Sequence, residues 1–146
     1  MPSSFIRFEK QGFWIKDPIM EIAAAYLYVC IDTAEETEDW FIEMKDIIRM
    51  NALGFYASYM HFDFDEYLIN DDRKNKFLNI IDKTIAFLQS KPPELDLQEL
   101  NAFIPDEDVK DAWRGRTVTS RILNVIEYLR ILITQSLEAD DMMPDF

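Results

Sequence analysis

Glycine is scarce in this chain, with three in 146 residues, at positions 12, 54 and 115. Barrels and sandwiches depend on many tight turns, so few glycines combined with long apolar periodicity argue for helices instead. Cysteine is scarcer still. Cys30 stands alone, which rules out an internal disulfide and favours a reducing compartment. The single histidine, His61, limits metal chemistry: zinc sites draw on several His and Cys ligands, and di-iron bundles need Glu-x-x-His pairs on facing helices. The apolar run between Glu21 and Asp32 spans ten residues, about half of what a bilayer crossing needs. The opening Met1-Pro2-Ser3-Ser4-Phe5-Ile6-Arg7 lacks the charged start and apolar stretch of a secretory signal. The expectation is a cytoplasmic protein with no membrane association. No internal repeat interrupts this picture.

Positive charge is also in short supply. Fifteen Lys and Arg face 28 Asp and Glu, a net charge of −13. Nucleic-acid binding begins with a basic patch, so that class is disfavoured. Acid-rich chains that stay disordered lack apolar surface, but here 49% of residues are hydrophobic and 14% aromatic, enough to offset chain entropy. The length suits one domain over residues 1–146, with a core that needs neither disulfides nor metal.

Periodicity predicts a mainly all-α fold, a bundle of about four main helices preceded by a short β-hairpin. Residues 5–16 read as two aromatic stretches joined by Lys10-Gln11-Gly12, a hairpin that must pack on helices to persist. Asp17-Pro18 opens a helix over 17–31, with Asp as cap and Pro in the first turn. Its apolar residues occupy nearly every face, which marks a central element. Residues 35–60 place Trp40, Met44, Ile47, Ile48, Phe55 and Tyr59 on one stripe, with Gly54 as a weak point or kink. After a break at 61–65, Asn70-Asp71-Asp72 caps a helix over 71–89 with Phe77, Ile81, Ile85 and Leu88 inward. Pro92-Pro93 stops it. Residues 94–116 read as irregular, with single-turn helices capped at Asp96 and Asp106. The last helix, 117–137, turns Val118, Ile122, Val125, Ile126, Leu129, Leu132 and Ile133 inward, and 138–146 reads as a flexible acidic tail.

Few constellations could carry chemistry. In His61-Phe62-Asp63-Phe64-Asp65-Glu66, extended backbone would place His61, Asp63 and Asp65 on one side and the phenylalanines on the other, a potential divalent-metal cluster. It lacks the glycine and distal glutamate of a calcium loop, and a helix junction with buried phenylalanines explains it as well. A Cys30–His61 pair would need a thiolate inside an apolar run, where desolvation disfavours it. Arg114-Gly115-Arg116 has no glycine-rich loop or P-loop lysine around it and suits pairing with nearby acids.

The acidity itself is segmental. Residues 21–50 carry eight acids and two bases, residues 96–113 six acids and one base, while residues 114–137 carry four arginines against Glu127. Two stretches therefore stand out as candidate partner-binding segments: Glu36, Glu38, Asp39, Trp40 and Glu43, then Asp106, Glu107, Asp108, Asp111 and Trp113. Interface hot spots favour aromatics ringed by polar groups, although negative charge at a helix start and Trp40 at core spacing have structural explanations too. No catalytic residues, metal or cofactor are assigned. The expected function is a non-enzymatic protein-binding module, an acidic inhibitor that captures and blocks a basic partner such as a nuclease toxin. The chain resembles the immunity proteins of such toxins in size, acidity and aromatic content. A self-associating adaptor, a homodimer for instance, is the alternative, and a metal-dependent enzyme built on His61 comes third.

Overall fold

The computed structural model describes residues 2–104, 113–138 and 142–146. In chain order it holds β1 (Ser3–Phe8), β2 (Gln11–Lys16), α1 (Asp17–Asp32), α2 (Asp39–Ala52), α3 (Phe64–Tyr67), α4 (Asp71–Gln89), β3 (Glu94–Asp96), a 3-10 turn (Leu97–Glu99), α5 (Leu100–Phe103), β4 (Arg116–Val118) and α6 (Thr119–Ile133). The architecture is mainly helical with an N-terminal hairpin, as the periodicity predicts. Among the described residues, no helix is long and apolar enough to cross a membrane.

The hairpin's turn lies at Glu9-Lys10, not at Lys10-Gln11-Gly12: Phe8 pairs with Gln11 and Ser3 with Lys16. Glu9 takes a left-handed backbone, φ 54°, and its amide donates to Asp65 Oδ1 at 2.7 Å. Gly12 serves β2 in another way. A Cβ there would stand 2.6 Å from Phe5 Cζ and 2.7 Å from the Ile6 carbonyl oxygen. The missing side chain lets the Phe5 ring lie across the strand and meet Trp14, with centroids 5.2 Å apart. On the opposite face Ile6, Phe8, Phe13 and Ile15 are buried, the packing that a lone hairpin needs.

Asp17 does not cap α1. Lys16 holds the cap position and Asp17 is the first helical residue. Its buried carboxylate instead accepts from Ser4 Oγ at 2.7 Å and from the Ser58 amide. Ala23, Ala24 and Ala25 are fully buried, and α1 packs against α2, α4 and α6, the central place its composition predicts. α2 is shorter than the 35–60 stripe. The Gly54 amide donates to the Asn51 carbonyl and the Phe55 amide to the Met50 carbonyl, both at 3.1 Å, while Gly54 adopts φ 82°. That paired closure with a left-handed glycine terminates a helix rather than kinking it. Trp40, Met44 and Ile48 stay buried, but Phe55 and Tyr59, now beyond the helix, are exposed.

α4 begins where Asn70 predicts it, with the Asn70 side chain accepting from the Arg73 amide at 2.9 Å. Phe77, Ile81 and Leu88 are buried along it. The stretch read as irregular contains a second small antiparallel ladder, from Glu94 opposite Val118 to Asp96 opposite Arg116. This ladder delays α6 to Thr119 and leaves Val118 exposed instead of inward. Asp96 caps the 3-10 turn by accepting from the Gln98 amide at 3.0 Å; the turn expected at Asp106 lies outside the described residues. α6 buries Ile122, Val125, Ile126, Leu129, Leu132 and Ile133. Past it, the Phe146 ring meets Tyr128 at 5.1 Å and Phe13 at 6.0 Å, so the last residue is anchored on the core. Buried side chains from the hairpin and all the long helices join one apolar cluster.

Candidate functional site

The first acidic segment divides in two. Glu36, Glu38 and Trp40 serve the fold. Lys76 Nζ of α4 sits 2.7 Å from Glu38 Oε1 and 3.1 Å from Glu36 Oε2, and Trp40 Nε1 donates to Glu38 Oε2 at 2.9 Å. Hydrogen bonds from Lys76, then from Trp40, hold the Glu38 carboxyl below its ordinary value. The Trp40 ring is buried, with the Arg73 guanidinium 5.0 Å from its centroid. These contacts fasten the start of α2 to α4. Asp39 and Glu43 lie instead on the outer face of α2, together with Asp46 and with Ile42, which is 51% exposed. Positions 39, 42, 43 and 46 form one helical stripe, and its three acids make no ion pair among the described residues.

The second segment cannot be placed in the same way. Asp106, Glu107, Asp108 and Asp111 lie outside the described residues, and Trp113 is buried rather than presented. Asn101 holds its backbone, accepting from the Trp113 amide and donating to its carbonyl, each at 2.9 Å. Nearby, Arg116 pairs with Glu94 at 3.1 Å, an acid partner of the kind the sequence suggests.

A further feature of chemical interest lies where the stripe of 35–60 gives way to turns. A groove of about 560 Å³ runs between β1 and the segment 58–66. Buried Ile6, Met60 and Phe62 line its apolar floor, Trp14 and Tyr59 stand along it 46% and 79% exposed, and Asp63, Asp65 and Glu66 contribute carboxylates. Among the described residues that line it, Arg7 is the only lysine or arginine, and it pairs with Asp65 at 3.7 Å.

Several buried polar contacts shape this groove. Asp17 binds the Ser58 amide and Ser4 Oγ, and Ser4 Oγ in turn accepts from the Met60 amide at 3.0 Å. Asn51 Nδ2, at the end of α2, donates to the His61 carbonyl at 2.7 Å and to the Ile47 carbonyl at 2.9 Å. Ser58 and Asp63 take left-handed backbone at φ 76° and 53°, a conformation that non-glycine residues hold only when their surroundings enforce it. The Asp63 carbonyl then accepts from the Glu66 and Tyr67 amides, starting α3.

The histidine–carboxylate cluster assembles only in part. Phe62 and Phe64 are buried and stacked, centroids 5.3 Å apart, as the alternation predicts. His61 Nδ1 lies 3.2 Å from Asp63 Oδ1, but Asp65 turns to the Glu9 amide and Arg7. Among the described residues no group of three His, Cys, Asp or Glu side chains could hold a metal ion. The His61 ring meets Tyr56 at a tilt of 45°, centroids 4.3 Å apart. Cys30 faces Thr84 of α4, and burial pushes its thiol up.

Electrostatics link the groove with the α2 stripe. Burial first, then the carboxylates of Glu66, Glu43 and Asp63, raise the Tyr67 hydroxyl above its ordinary value. Glu43 of the stripe and Asp63 and Glu66 of the groove therefore act together on one hydroxyl. Reading the sequence missed this groove, although Gly54 and the uncharged, aromatic 53–62 stretch were its visible signals. No protein-family model, curated protein or solved structure matches this chain.

Proposed function

We propose that this chain is a non-enzymatic binding protein that captures and blocks a basic partner protein, as small acidic inhibitors of nuclease toxins do. One observation supports the reading above all: the outer stripe of α2 sets an exposed Ile42 among Asp39, Glu43 and Asp46, none paired among the described residues. Such a stripe supplies long-range attraction around a small apolar anchor. Uncompensated surface charge steers encounter, raising association rates by about 10–1000-fold at low salt. Desolvated apolar contacts then set the lifetime of the complex.

The test is to express the chain with the product of each adjacent gene and measure association by stopped flow. A basic neighbour should co-purify, and its association rate should fall steeply between about 0.01 and 0.15 M salt, as the screening length drops from about 30 to 8 Å. A salt-insensitive rate, or no basic partner among the neighbours, would overturn the proposal. A stable homodimer by light scattering with no such partner would favour the adaptor alternative.

A further inference from the structure

We propose that the groove between β1 and the 58–66 segment is a receptor for a lysine or arginine side chain of the basic partner; this rests on the reading above and deepens it by naming the contact.

The first support is aromatic. Tyr59 is the most exposed large apolar side chain described, and Trp14 stands half-exposed on the facing hairpin. Leaving such rings in water forgoes their burial, so their presence on one groove asks for an occupant. Aromatic faces attract cations, and the effect grows when water is excluded. This chain already uses that contact internally, with Arg73 5.0 Å from the Trp40 centroid and Lys91 4.6 Å from Phe87. Among the described residues no cation lies over Trp14 or Tyr59.

Charge complementarity is the second support. Asp63, Asp65 and Glu66 line the groove, and Arg7 is the one Lys or Arg that faces them among the described residues. An anionic ligand would meet net repulsion there, and a neutral apolar one would desolvate carboxylates without compensation. A lysine or arginine matches both parts: its methylene stem lies on Ile6 and Met60, and its charged head meets rings and carboxylates. The groove is also held in shape before binding. Asp17, Ser4 and Asn51 fix the 58–61 backbone by buried hydrogen bonds, so little ordering is needed on capture.

The probe is a short fluorescein-labelled peptide alternating lysine and glycine, followed by anisotropy and by amide chemical-shift mapping. Tyr59→Ala and Trp14→Ala should each weaken binding by about 3- to 30-fold, while Tyr59→Phe, which keeps the ring, should bind as the parent does. Glu127→Gln removes a charge from the exposed face of α6 and should change affinity less than about twofold at physiological salt. The same peptide with acetylated lysines should lose binding. Parent-like affinity in both alanine variants, each with an unchanged circular dichroism spectrum, would overturn the groove. So would failure of the peptide to bind. Shifts confined to the Asp39–Asp46 face would also remove the groove while leaving the capture of a basic partner standing. A basic neighbour that binds equally well to Tyr59→Ala and Trp14→Ala would separate the two readings in the same way.

Discussion

Asp17 is the residue whose replacement reports most directly on how the groove is built. Its two carboxylate oxygens accept from the Ser4 hydroxyl at 2.7 Å and from the Ser58 amide, and Ser4 passes the connection to the Met60 amide. Asp17→Asn keeps the volume but replaces one acceptor with an amino group, so one of the two donors faces another donor. An orphaned buried donor costs about 1–3 kcal/mol, and we expect a loss of about 2 kcal/mol. With an m-value of about 1–3 kcal/mol/M, the urea midpoint should fall by about 1 M. Ser4→Ala removes the relay and should cost about 1 kcal/mol. Because both act on one network, the double variant should depart from additivity by at least about 0.5 kcal/mol. Urea unfolding followed by tryptophan fluorescence gives these energies, and amide exchange at Ser58 and Met60 gives the local effect, which should accelerate in either single variant. Asp17→Asn within about 0.5 kcal/mol of the parent, with unchanged exchange at Ser58, would refute the latch.

Gly12→Ala forces a methyl group against the Ile6 carbonyl oxygen and the Phe5 ring; we expect a loss of about 1–3 kcal/mol in thermal unfolding, with altered Trp14 emission as Phe5 is displaced. Gly54→Ala meets no close atom, its nearest neighbour being Glu21 Oε1 at 3.6 Å, so its cost of about 1–2 kcal/mol in urea unfolding comes from the left-handed backbone alone. Burial, and secondarily Asp17, raises the Glu21 carboxyl above its ordinary value. The native state therefore holds the extra proton, and this group's contribution to stability falls as pH rises from the unfolded to the folded pKa. Glu21→Gln should accordingly be more stable than the parent at pH 7 and converge with it below about pH 4, which unfolding curves across that range would check.

The helical framework was legible because its determinants are local. Asn70 caps α4 by a contact three residues long, Pro92-Pro93 bars continuation, and α6 repeats buried side chains at helical spacing. What was not legible depends on partners far along the chain. The β3–β4 ladder joins residues at least twenty positions apart, and neither three-residue strand carries enough alternation to announce itself. Asp17 reads as a cap by every local rule, yet its partners are Ser4 and Ser58, one before the helix and one beyond the next. Gly54 was visible as a weak point, but only its φ of 82° and the Phe55–Met50 hydrogen bond show that it ends α2. Trp40 and its neighbouring acids were visible as a patch; Lys76 and Arg73, from a different helix, turn part of that patch inward.

The end of α2 at Gly54 has consequences beyond helix length. Had the helix continued to residue 60, Phe55 and Tyr59 would have extended the stripe of Trp40, Met44 and Ile48 into the core. Termination leaves both rings in water, and the chain then spends eleven residues, 53–63, outside any helix before α3 begins. Within that detour two non-glycine residues, Ser58 and Asp63, accept left-handed backbone, each at a cost of about 1–3 kcal/mol. A buried carboxylate and a buried amide stabilise the segment against that strain. Locally unfavourable features enforced by a buried scaffold are characteristic of sites that act on something else. Within the −13 of the whole chain, two groups of carboxylates have a defined position: those of the α2 stripe, unpaired among the described residues, and those beside Trp14 and Tyr59. On the proposed reading, those are the carboxylates that would hold a basic partner.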